Sequence, residues 1–161
     1  METLYFDLLQ FVYHLALAIL VGGALVLGAA AAPAIFASVR SRGEAGAIFG
    51  TVLGRYDGLA VLCVVLIVLT SILKAAAFEV TGTPEIRLVM RWLALIVLCG
   101  ATLYSSAWAS PVARSVRSQT PGWDDLREDA PMRREFQSLH RSARRAMTVG
   151  VVAGIIAMFL S

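Results

Sequence analysis

"LLQFVYHLALAILVGGALVLGAAAAPAIFASV", residues 8–39, contains no Asp, Glu, Lys or Arg. A helix of about 20 apolar residues spans the hydrocarbon core of a bilayer, which is about 30 Å thick. A second charge-free stretch runs from residue 146 to residue 160. The whole chain of 161 residues is 58% hydrophobic and only 16% charged, which is unusual for a soluble domain of this size. The sequence therefore predicts an integral membrane protein.

Four apolar segments are predicted to span the membrane, and they cover residues 8–32, 58–78, 88–108 and 141–160. They are too long and too continuous for the strands of a membrane barrel, whose residues alternate between apolar and polar. A helix satisfies every backbone hydrogen bond within its own segment, as a lipid environment requires. We therefore expect one all-α domain over residues 1–161, an antiparallel bundle of four transmembrane helices.

The distribution of basic residues predicts the orientation of this bundle. The connections on one side carry eleven Arg residues, whereas the connection on the other side carries three basic residues, Lys74, Arg87 and Arg91. Basic residues accumulate in cytoplasmic connections, so the side with eleven is expected to face the cytoplasm. Both termini would then lie outside, and we expect the bacterial inner membrane as the location.

The second and fourth helices are predicted to extend into the cytoplasm. Fifteen residues from Ala146 onward reach only about 22 Å as a helix, so the fourth helix must begin earlier, near Pro131. The stretch GEAGAIFGTVLGRYDG, residues 43–58, predicts a second helix that begins near Glu44 and enters the membrane near Asp57. Its glycines recur every four residues and favour close helix packing, and two glycines in the fourth helix do the same. The packing glycines are Gly46, Gly50, Gly54, Gly150 and Gly154.

These two extensions predict a charge cluster at the cytoplasmic edge of the membrane. Within it, Asp57 is expected to pair with Arg144 or Arg145, because the three residues share a predicted depth. The basic members are expected to contact anionic lipid head groups, which attract Arg near the membrane surface. The predicted cluster comprises Arg55, Asp57, His140, Arg141, Arg144 and Arg145.

Polar residues inside the predicted spans are candidates for a solute site or for hydrogen bonds between helices. The candidate intramembrane site comprises Gln10, His14, Tyr104 and Ser105. Cys63 and Cys99, with Met147 as a third donor, could bind a soft metal ion, although two packed thiols are the simpler interpretation. His14 and His140 lie near opposite membrane faces, about 25 Å apart by helical rise, so they cannot share one haem iron.

Other classes of function find less support in the sequence. The chain lacks the G-x-S-x-G, H-E-x-x-H and phosphate-loop motifs, so we expect no enzyme and no cofactor. A net charge of +3 is too small to indicate nucleic-acid binding.

Several stretches carry a resemblance to a known family. They are His14 followed by APAIF (32–36), AGAIFGTVLGRYDGL (45–59), WASPVAR (108–114) and REDAPMRREFQSLH (127–140). In this order the chain resembles the transmembrane protein 205-like family, also called domain of unknown function 4149. The resemblance implies a four-helix membrane protein. Because a eukaryotic member of the family is associated with drug resistance and export, the resemblance also implies transport.

Three hypotheses of function follow. The first is a non-enzymatic membrane protein that binds or transports a small solute, in which case four short helices suggest a homo-oligomer. The second is a structural or assembly subunit that presents its small-residue helix faces to another membrane protein. The third is a redox protein containing a metal or a haem.

Overall fold

The computed structural model describes residues 2–79, 85–127 and 129–161, and within these ranges every element is a helix. Three π-helical segments cover Leu27–Ala31, Ala75–Glu79 and Leu103–Ala109, and one 3₁₀ turn covers Trp123–Asp125. The α-helices are α1 (Glu2–Val26), α2 (Ala32–Ser38), α3 (Arg42–Lys74), α4 (Ile86–Thr102), α5 (Ser110–Gln119) and α6 (Pro131–Phe159). The connection between the second and third predicted segments lies partly outside the described residues.

The π-helical segments join α1 to α2 and α4 to α5 without a break, so the described chain forms four long helical rods. These rods are long and apolar enough to cross a membrane, and their bounds are Leu4–Ser38, Arg42–Ala77, Ile86–Gln119 and Pro131–Phe159. At 1.5 Å per residue they measure roughly 45–55 Å, more than the bilayer core requires. The all-helical prediction is therefore confirmed, and helical extension occurs in the first and third rods as well as in the second and fourth.

Local sequence explains where two of the rods begin. The Ser41 hydroxyl oxygen accepts a hydrogen bond from the backbone N–H of Glu44 at 3.4 Å, as in an N-cap. Pro131 is the first residue of α6, where its missing N–H costs no helical hydrogen bond. The fourth helix therefore begins at the proline from which the sequence predicts it.

An apolar core holds the rods together. α1 packs mainly on α3, and α4 packs mainly on α6. The core is centred on Leu17, Ile67, Leu98 and Ala157, each fully buried. Many large apolar side chains lie on the outside, and Phe11, for example, is 63% exposed. A continuous apolar exterior would be unfavourable in water, and it is the surface expected of a protein in lipid.

Two glycines bring α6 close to its neighbours within the same chain. A Cβ atom on Gly154 would overlap Val21 Cγ2, and one on Gly150 would lie 3.6 Å from Ala101 Cβ. The structure therefore uses the GxxxG pair of α6 inside the bundle, against α1 and α4.

Buried polar residues lie at two levels of α3. Asp57 is buried near the middle of the helix, and Thr70, Ser71 and Lys74 are buried at its C-terminal end. The buried positions between them are all apolar, namely Ala60, Cys63, Val64 and Ile67. We call this part of α3 the apolar layer, and it separates two polar regions of the bundle.

Candidate functional site

A large open cleft lies between α3, α5 and α6 and has a volume of about 960 Å³. Four arginines from three of the rods line it, and we call it the arginine cleft. These arginines are Arg42, Arg114, Arg117 and Arg133. In the part of the chain that the structure describes, none of the lining residues is Asp or Glu. The cleft is therefore electropositive.

The glycines of α3 make room for two of these arginines. A Cβ on Gly46 would lie 2.9 Å from Arg117 Nη1, and one on Gly54 would lie 3.6 Å from Arg114 Cζ. Between them, a Cβ on Gly50 would meet open space. We predicted that these three glycines let helix backbones approach each other, but the structure instead places guanidinium groups against two of them.

Arg114 forms a partly buried ion pair with Asp57. Arg114 Nη1 donates to Asp57 Oδ2 at 2.6 Å, and the side chains are 35% and 6% exposed, respectively. The predicted pairing of Asp57 with Arg144 or Arg145 is therefore wrong. Arg144 and Arg145 point outward from α6 and are exposed, whereas Arg114 approaches Asp57 across the glycine face of α3.

Arg117, one turn after Arg114, is held by the beginning of α3. Its Nη2 donates to the backbone carbonyl of Gly43 at 2.8 Å. A guanidinium group carries five N–H donors, so this bond leaves others free to bind a ligand. Both arginines are therefore held beside the cleft while keeping donors for an anion.

Aromatic rings form two walls of the cleft. On one side, Phe136 packs edge-to-face on Trp123 at 5.2 Å between ring centroids and stacks on His140 at 5.9 Å. On the other side, Phe36 and Phe49 lie 6.3 Å apart. The cleft therefore combines fixed positive charge with apolar surface, which suits an anion that carries an apolar group.

A small polar cavity lies deeper in the bundle. Its volume of about 10 Å³ is close to that of one water-sized probe, and Tyr56, Thr102, Ser105, Ser106 and Met147 contribute to its lining. The Tyr56 hydroxyl donates to the Leu20 carbonyl at 2.6 Å, which ties α3 to α1. This cavity has room for one water molecule but not for a solute.

The four residues of the predicted intramembrane site do not form a single site. Gln10 lies near the far end of the bundle, where its side-chain oxygen accepts a hydrogen bond from Lys74 Nζ. His14 Nδ1 lies 3.0 Å from the Gln10 carbonyl oxygen on the same helix. Ser105 lines the small cavity, whereas Tyr104 is 42% exposed and packs on Trp108 at 5.3 Å.

The predicted charge cluster is also divided. His140 lines the arginine cleft, and Asp57 is buried next to it. The other members are exposed, as lipid contact would require, and that contact stays a prediction. These exposed members are Arg55, Arg141, Arg144 and Arg145.

The thiols show no grouping typical of a metal site. Cys63 is buried in the apolar core, Cys99 packs at its edge, and both are free. Among the residues that the structure describes, no three His, Cys, Asp or Glu side chains are grouped to hold a metal ion. Met147 lines the small polar cavity.

The sequence prediction missed the arginine cleft, although it contained part of the signal. Arg114 and Arg117 are three residues apart, a spacing that places both on one face of a helix. The fold then brings this face against the three glycines of α3, which lie 60 or more residues earlier in the chain. Only the packing of α5 on α3 and α6 reveals the site.

Comparison with known protein families identifies a family that matches the chain. The family model described as Domain of unknown function (DUF4149) matches residues 15–121. The match includes Arg42, Arg114, Arg117 and the three glycines, and it ends before the aromatic wall that Trp123 begins. No curated protein and no solved structure matches the chain.

Proposed function

The chain belongs to the family described as Domain of unknown function (DUF4149), and from this premise we propose that it is a multi-pass membrane protein that binds a small anionic solute in the arginine cleft. The proposal assigns it no catalytic activity. The resemblance to transmembrane protein 205-like proteins favours transport of this solute rather than its storage.

One observation carries the proposal, namely the excess of positive charge around a cavity of ligand size. Small-molecule sites typically measure about 300–1,000 Å³ and place a few polar groups among apolar walls. Asp57 compensates Arg114, whereas Arg42 and Arg117 have no carboxylate partner among the described residues, so these two guanidinium charges remain for a ligand. An anion is therefore favoured over a cation or a neutral solute.

We propose an antiparallel arrangement in which the arginine cleft faces the cytoplasm. Two contacts between α1 and α3 support it, because Gln10 lies beside Lys74 whereas Leu20 lies beside Tyr56. As the residue number rises along α1, it falls along α3. The excess of Arg at the cleft end supports a cytoplasmic location, with both termini outside and the bacterial inner membrane as the site.

A role in assembly is the second candidate, and the outer surface favours it in one respect. Gly28, Gly58 and Gly100 are exposed and face open space. Small residues on an outer helix face allow another helix to approach closely in lipid. Such a face would suit a second copy of this chain or a different membrane protein.

Thermal unfolding of the purified protein in detergent tests the solute proposal. A ligand that prefers the folded state raises the unfolding temperature. We expect naphthyl phosphate or naphthoate to raise it and naphthylmethylammonium, a cation of similar shape, to leave it unchanged. Arg117→Gln should abolish the effect, whereas Arg134→Gln, which removes an exposed charge outside the cleft, should retain it.

Two results would contradict the proposal. Equal stabilisation by the anions and the cation would show that charge does not select the ligand. If neither anion binds and the protein purifies with another membrane protein at fixed stoichiometry, the assembly role replaces the solute role.

A further inference from the structure

We propose that the arginine cleft is a phosphate-ester site, with the phosphate held between Arg114 and Arg117 and an apolar body held against the aromatic walls. This inference rests on the proposed function and names its class of ligand. The phosphate can belong to a lipid head group or to a soluble ester, and both present the same chemistry to the cleft.

The geometry of the two arginines defines a place for the phosphate. They contact α3 at Gly46 and Gly54, which are eight residues apart and therefore about 12 Å apart along the helix. Gly50 lies midway and lines the cleft, and the space above it is open. An anionic group placed there would be about 6 Å along the helix from each contact, so both guanidinium groups would turn toward Gly50 to bond it.

Hydrogen bonding favours a phosphate over a carboxylate in this place. Arg114 already uses Nη1 on Asp57, and Arg117 uses Nη2 on the Gly43 carbonyl. The two guanidinium groups lie on either side of Gly50 along α3, and a planar guanidinium matches phosphate oxygens well. A terminal phosphate has three free oxygens and can bond both arginines at once, whereas a carboxylate has only two oxygens.

Charge leads to the same conclusion. Two guanidinium groups that line the cleft, those of Arg42 and Arg117, have no carboxylate partner among the residues that the structure describes. A phosphate monoester carries a charge of about −1.5 to −2 near pH 7. It therefore compensates more of this charge than a carboxylate does.

The size and the aromatic walls of the cleft suit a ligand that is larger than an inorganic ion. A volume of about 960 Å³ leaves room for an apolar body beside the phosphate. Trp123 and Phe136 offer ring surfaces on one side, and Phe36 and Phe49 offer them on the other. Rings and acyl chains can both pack on such walls, so an aromatic phosphate and a phospholipid are both suitable probes.

Two binding measurements separate the sources of the phosphate. In lipid nanodiscs, native mass spectrometry compares phosphatidic acid, a monoester, with phosphatidylglycerol, a diester. In detergent, calorimetry compares naphthyl phosphate with naphthoate. We expect at least one monoester to bind about tenfold more tightly than its matched anion, because a second charge and a third oxygen engage both arginines.

Two glycine variants locate the binding without removing a charge. Gly50→Leu should fill the space between the arginines and weaken the monoester by about tenfold or more, a loss of the size expected when a good ligand contact is blocked. Gly100→Leu adds the same side chain at an exposed helical glycine that also faces open space, so it should leave binding unchanged. A normal unfolding temperature for both variants shows that they fold.

The outcomes distinguish this inference from the proposed function. If naphthoate binds as tightly as naphthyl phosphate and Gly50→Leu weakens both, the cleft binds anions but the phosphate assignment is overturned. If no anion binds the cleft, both proposals fail. If phosphatidic acid binds equally to Gly50→Leu and is lost only from Arg144→Ala/Arg145→Ala, the contact is a surface lipid contact and the inference is overturned.

Discussion

At the scale of single residues, the Asp57–Arg114 pair joins a buried group to one that reaches the cleft. The Asp57 side chain is almost fully covered, whereas about a third of the Arg114 side chain is exposed. A charge left without its partner costs most where water cannot reach it. The two halves of this pair should therefore not be equivalent in stability.

We predict that Arg114→Gln destabilises the protein more than Asp57→Asn does. Loss of Arg114 leaves a buried carboxylate without its counter-charge, at a cost of roughly 3 kcal/mol. Loss of Asp57 leaves a guanidinium that can turn toward water in the cleft, at a cost of about 1–2 kcal/mol. Unfolding in mixed micelles by added SDS measures the difference.

The exposed pair between Arg127 and Asp129 supplies a control, because its N–O distance is 3.2 Å but both side chains are open to solvent. Arg127→Gln should change stability by less than about 0.5 kcal/mol. Equal costs for Arg114→Gln and Asp57→Asn would show that burial does not distinguish the partners.

A second prediction concerns the polar region at the far end of α3. Lys74 is 2% exposed, donates to the Gln10 side chain and lies 4.9 Å from the Tyr13 ring centroid. Gln10→Leu removes an acceptor from a buried ammonium, so it should cost about 2 kcal/mol in the same unfolding assay. Phe11→Leu, on the exposed face next to it, is the matched control. Similar stability of both variants would contradict this role for Gln10.

At the scale of elements, the close approach of α6 to α1 is set by Gly154. The nearest atom to an added Cβ would be a methyl group of Val21, a β-branched residue with little rotamer freedom. The neighbours of Gly150 are at ordinary van der Waals distance. The two glycines of this GxxxG motif should therefore differ in how well they tolerate a larger side chain.

We predict that Gly154→Ala costs about 1–3 kcal/mol by overpacking, whereas Gly150→Ala changes stability by less than about 1 kcal/mol. Because the clash is with one side chain, adding Val21→Ala to Gly154→Ala should recover part of the loss. A double-mutant cycle in the SDS unfolding assay measures this coupling. Strictly additive effects would show that Val21 is not the obstacle.

The four rods were predictable from sequence because each contains a long apolar segment, a local property of the chain. The helical extension of the first and third rods was not predictable from sequence. Residues such as Arg114 and Arg117 have no apolar pattern, yet they continue the helix beyond Pro111. The arginine cleft was less predictable still. Its residues come from three different elements. Gly46, Arg117 and Phe136 become neighbours only through tertiary packing.

At the scale of the whole molecule, orientation can be tested with one cysteine at each end. In a Cys63→Ala/Cys99→Ala background, we predict that a membrane-impermeant maleimide added to intact bacteria labels Glu85→Cys but not Gln119→Cys. Both positions are exposed, and they lie at opposite ends of the third rod. Permeabilised cells, in which both should react, are the control. The reverse pattern would place the arginine cleft outside.

The apolar layer of α3 has an electrical consequence. Asp57 and Lys74 are separated by 17 residues, or about 25 Å of helix, and the layer from Ala60 to Ile67 occupies about 10 Å of this length. Across a polarised bilayer the voltage would fall mainly over such a low-dielectric region. Moving an elementary charge through 100 mV involves about 2.3 kcal/mol, in addition to the cost of removing the ion from water. We therefore expect this conformation to conduct no ions, so bacteria that overproduce the protein should keep their resting voltage.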